Sequence, residues 1–102
     1  MITDEYLSAV DLASDIRDKK LAPSEVVEET IRAIDERNPS INAFVYTNYD
    51  EAREKAKAED DKLVRGEASG AFFGVPTAAK DFIPGIPGWP GTFGGIKALS
   101  HM

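Results

Sequence analysis

Cysteine is missing from this 102-residue chain, and histidine occurs once, at His101. Without thiols there are no disulfides, thiolate metal sites or cysteine nucleophiles. One histidine beside the terminus removes histidine triads and histidine-clustered metal sites as well. Positive charge is the minority sign, 12 Lys and Arg against 18 Asp and Glu, for a net charge of −6. A nucleic-acid backbone or an anionic membrane surface is therefore an unsuitable partner. Long apolar runs are absent too. The opening "MITDEYLSAVDLASDIRD" has neither the basic start of a leader peptide nor the length of apolar chain that spans a bilayer. These absences lead to the expectation of a cytoplasmic protein that uses no metal or cofactor. Hydrophobic residues at 42% and charged residues at 29% suit a folded domain and exclude wholesale disorder. The length suits one small domain at most, with a modest core.

What is present divides near Gly66 to Gly70 into a charged, helix-patterned part (6–66) and a Gly/Pro/aromatic part (70–102). Ser8 with Asp11 fits a helix cap, and Leu7, Val10, Ala13 and Ile16 recur at helical spacing until Arg17, Lys19 and Lys20. Pro23-Ser24-Glu25 opens a second helix whose Val26, Val27, Thr30, Ile31 and Ile34 share a face. Asn38-Pro39 predicts its stop, because the residue before a proline disfavours the helical region. "INAFVYTN" is β-branched and aromatic between turn formers, which predicts a short strand or extended segment.

Asn48 with Glu51 caps a third helix that ends at Gly66. Its apolar stripe is thin, mainly Ala52, Ala56 and Leu63, while Glu51 with Lys55 and Asp61 with Arg65 are spaced for surface ion pairs. Asp60 and Asp61 read as part of this wet face, with no catalytic role. In "AFFGVPTAAKDF" alternation predicts an extended run with Phe73, Val75, Thr77 and Ala79 on one side and Ala78, Lys80 and Phe82 on the other. Pro76 restricts that run to the start or edge of a sheet. An open strand edge would also offer a route to oligomers. From Ile83 the glycines and prolines of "IPGIPGWPGTFGG" predict a loop, with Trp89 and Phe93 packing on a neighbouring surface.

Lys80 stands apart from the lysines scattered over the helices. The small Ala78 and Ala79 beside it would let it lie beneath other structure, where desolvation lowers a lysine's pKa and a neutral amine can serve as general base. The competing reading is a surface lysine at a strand end, paired with Asp81. The glycines of the tail do not form a phosphate-cradling loop, since "GGIKAL" lacks the Lys-Ser/Thr pair.

The order of these pieces, "PSEVVEETIRAIDERNPSINAFV", a charged helix ending in Arg-Gly-Glu, then "GVPTAAKD", resembles the N-terminal region of amidase signature hydrolases. The resemblance covers nearly the whole chain and is most specific at Gly74-Val75-Pro76 with Lys80-Asp81. It implies a mixed α/β fold in which N-terminal helices pack on the start of a sheet, with residues 1–102 forming one segment of an amidase-type domain. It also implies cleavage of carbon–nitrogen amide bonds by a Ser-cisSer-Lys triad, with Lys80 drawing a proton through a second serine while the first attacks the carbonyl. Thr92, Gly94 and Gly95 look similar to a substrate-side loop of such enzymes. Ala79 and Phe82 depart from the family's branched and polar residues at those positions, which bears on substrate. The Gly/Ser-rich segment that supplies both serines has no counterpart here, for Ser100 is the only serine after Lys80. Residues 1–102 alone are therefore expected to be inactive toward a small-molecule amide that the complete enzyme would cleave. The alternative is a small acidic helical module whose Gly/Pro/Trp tail docks on a partner.

Overall fold

The computed structural model describes residues 8–79. They form three helices, α1 (Ala9–Arg17), α2 (Pro23–Ile41) and α3 (Tyr49–Val64), and no strand is found among them.

α1 begins where Ser8 accepts the Asp11 N–H on its side chain at 3.1 Å. It ends in a Schellman motif, with Lys19 N–H bonded to Ile16 O and Lys20 N–H to Asp15 O. Lys19 occupies the left-handed position that glycine usually fills, at φ 62°. Ala13 and Ile16 are buried as the spacing predicts. Val10, expected on the same face, is 66% exposed, and Leu12 packs against the core in its place.

α2 has no side-chain cap of its own at Ala22, and its free N–H groups find acceptors elsewhere. The Glu25 carboxylate takes the Ala22 N–H at 3.1 Å, and Asp60 of α3 takes the Ser24 N–H at 2.9 Å. Asp60 is half-buried and caps a neighbouring helix, so the reading of it as part of a wet face is corrected. The stop expected at Asn38-Pro39 is also corrected, since α2 continues through Pro39 to Ile41. The last turn is held from outside the helical ladder. Asn38 donates from its side chain to Phe44 O at 2.9 Å and accepts the Phe44 N–H at 2.8 Å, and Asn42 turns left-handed with its N–H on Asn38 O. The same clip explains why "INAFVYTN" is not a strand. Phe44 pairs its backbone with a side-chain amide, and Ile41 and Val45 are 67% and 70% exposed.

α3 starts at the expected cap, Asn48 accepting the Glu51 N–H at 3.3 Å, and closes in a Schellman turn at Gly66, φ 74°. It packs against α2 as the other arm of a hairpin. Along the hairpin lie three polar ties: Tyr49 donates to Asp35 at 3.2 Å, Arg53 grips Glu28 through Nε at 2.6 Å, and Asp60 holds Ser24. The hydrogen bond from Arg53 pulls the Glu28 carboxyl below the usual carboxylate range. Loss of hydration raises the pKa of the Tyr49 hydroxyl, and the bond to Asp35 raises it further. Glu51 and Lys55 pair at 3.2 Å as their spacing predicts, whereas Arg65 pairs with Glu67 at 2.9 Å and not with Asp61.

Ile16, Val26 and Leu63, one from each helix, make the centre of the core, and Leu12, Leu21, Ala68, Phe73 and Val75 close around it. The last three follow α3, and Phe73 and Val75 lie in the stretch after Gly70. A strand was expected there; residues 71–74 instead form a turn, and 75–79 run on without a ladder partner among the described residues.

Candidate active site

The segment that leads toward Lys80 begins at Gly70, and the helices hold it at several points. Arg17, at the end of α1, donates through Nη2 to the carbonyls of Gly70 and Ala71 at 3.2 and 3.3 Å. The turn closes on itself through Phe73 N–H to Gly70 O and Val75 N–H to Phe72 O. Phe73 and Val75 then lodge in the core.

Gly74 sits at the bottom of this turn, buried, with φ 82°. A Cβ placed there would meet two carbons of Ile16 at 3.1 Å and Cγ of Pro23 at 3.2 Å. Its N–H is held by the Glu59 carboxylate of α3 at 3.2 Å. One backbone position is thus gripped by side chains of all three helices. Pro76 is half-buried, and Thr77, Ala78 and Ala79 are exposed as the chain leaves the helices. Lys80, Thr92, Gly94 and Gly95, the candidate site residues, lie outside the described residues.

Three residues that matter here escape sequence reading: Arg17, Glu59 and Asp60. Each looks like a charge on a solvated helix face, and each acts on a partner 15 or more residues away. A faint signal existed for Asp60, because α2 opens on Ala22 with no capping side chain and must borrow an acceptor. Among the described residues no group of three His, Asp or Glu could hold a metal ion, and no helix is long and apolar enough to cross a membrane.

The model of the Amidase family matches residues 25–100, which takes in α2 from Glu25 onward, α3, the Gly74 turn and the segment carrying Lys80. The chain belongs to the amidase family. Among its relatives, a glutamyl-tRNA(Gln) amidotransferase subunit from Mesorhizobium japonicum is 44% identical over 66 residues, 65% of this chain and 12% of that protein. An acylamidase of Rhodococcus erythropolis is 35% identical over 89 residues, 87% of this chain and 18% of that protein. The crystal structure of a bacterial aryl acylamidase of the amidase signature family superposes with a TM-score of 0.87 at 47% identity. That match covers 93% of this chain and 19% of the solved one. This amidase segment thus has the fold of an α/β family, while its described residues contribute helices and turns. It spans less than a fifth of the length of these relatives. These similarities are to members of the amidase family, and they give no support to the alternative of a free-standing docking module.

Proposed function

We propose that this segment is the N-terminal portion of an amidase that cleaves carbon–nitrogen bonds of small amides, with Lys80 as the base of a Ser-cisSer-Lys triad. The observation that carries the reading is the family match over residues 25–100, which includes Lys80 and the Thr92, Gly94 and Gly95 loop. In this role the Lys80 amine is neutral. It accepts a proton relayed by one serine as the other serine forms its bond to the carbonyl carbon, and the proton later returns to the departing nitrogen. Both serines and the oxyanion donors come from sequence other than residues 1–102, so the segment has no acyl-transfer activity by itself. The sheet that the α/β fold of the family requires is supplied by the rest of the domain. In this reading Thr92, Gly94 and Gly95 belong to the substrate side of the site. The acylamidase and aryl acylamidase relatives favour an acyl anilide as the substrate to try first.

The test uses the full-length protein that contains this segment and a chromogenic acyl anilide. Lys80→Ala is expected to lower kcat by about 100-fold or more, as loss of a general base does. Near-normal turnover by Lys80→Ala overturns the assignment.

A further inference from the structure

Seen from the helices, the Gly74 turn is over-determined. Its interior carbon is boxed by Ile16 and Pro23. Its N–H is taken by Glu59, and its two leading carbonyls are taken by Arg17. Packing alone would suffice to bury a glycine; the two charged contacts act on backbone groups and so fix the direction of the chain as well as its depth.

That direction has leverage. Lys80 follows Gly74 by six residues, which is at most about 20 Å of extended chain. The turn fixes where that short run begins, and misplacement of a catalytic group by about 1 Å can cost 100-fold in rate. We propose that Glu59, together with Arg17, is a positioning residue for the catalytic lysine, setting the angle at which the chain leaves the helices toward Lys80. The inference rests on the reading of Lys80 as the base. In this role Glu59 and Arg17 act through the backbone of residues 70–74.

The experiment compares Glu59→Ala, Glu59→Gln and Lys80→Ala in the full-length protein with the acyl anilide. Glu59→Ala is expected to lower kcat about tenfold with KM within about twofold, because the substrate's own contacts are untouched while the base is misaligned. Glu59→Gln keeps an acceptor for the Gly74 N–H and recovers most of kcat. A residue that only stabilised the fold would leave kcat and KM at wild-type values in the folded fraction, and that result for Glu59→Ala overturns the proposal. Failure of Glu59→Gln to recover kcat also overturns it. Should Glu59→Ala not fold, Arg17→Gln releases the Gly70 and Ala71 carbonyls from the same turn and is expected to show the same kcat loss. Wild-type kcat in Arg17→Gln then counts against the proposal. Lys80→Ala separates the two claims: if it stays active the base assignment has failed, and if it is inactive while Glu59→Ala is normal only the positioning role has failed.

Discussion

A single methyl group at Gly74 would face two carbons of Ile16 at 3.1 Å, tighter than side chains ordinarily approach. It would also sit on a backbone with φ 82°, where an L residue is strained. Each effect costs on the order of 1–3 kcal/mol, so Gly74→Ala is expected to destabilise by about 2–6 kcal/mol in a denaturant titration. Gly66 is the control. It has the same sign of φ but open space around its Cα, so Gly66→Ala should carry the backbone strain alone. Equal losses at the two positions would show that the contact with Ile16 is not what makes Gly74 necessary. The Gly74-Val75-Pro76 motif was plain in the sequence, whereas this reason for its glycine was not. The residues that crowd Gly74 are Ile16 and Pro23, more than 50 positions earlier, and no local pattern links them to it.

At the scale of elements, α2 starts on a cap lent by another helix. Asp60→Ala removes the acceptor for the Ser24 N–H and places no other cap at Ala22. The expected cost is about 1 kcal/mol, the usual worth of a cap, with faster amide exchange at Ser24 as the local sign. Unchanged exchange there would mean the contact is not formed in solution. The Glu28–Arg53 tie between α2 and α3 gives the hairpin a pH dependence. The folded state holds Glu28 below its unfolded pKa, so the unfolded chain takes up the proton first as pH falls. The contribution is therefore complete above the unfolded carboxylate pKa and disappears as pH drops through the lowered folded value. Melting temperatures of wild type and Glu28→Gln should differ at neutral pH and converge in acid. Both side chains are largely exposed, so the difference will be small.

At the scale of the whole molecule, the helices were legible because their signals are local. Ser8 and Asn48 announce two starts within three residues of the groups they cap, and Gly66 announces a stop. Strands do not carry their own partners. "INAFVYTN" and the stretch after Gly74 have strand composition, but a ladder depends on a neighbour, and among the described residues Phe44 finds its pair in the Asn38 side chain. The proline rule failed at Pro39 for a related reason, since that same clip and Asn42 hold the last turn. For the site, the family could be read from the G-V-P and K-D residues, while Arg17 and Glu59, which hold the backbone of the Gly74 turn, resembled any other surface charge.

The burial of Gly74 against Ile16 also sets a timetable. Ile16 emerges from the ribosome well before Gly74, by several seconds at about 5–20 residues per second. During that interval the three helices can form, but Ile16 lacks the backbone that covers it. The stretch that arrives to shut this gap, Phe73 to Val75, is therefore the last piece of this first core to be made.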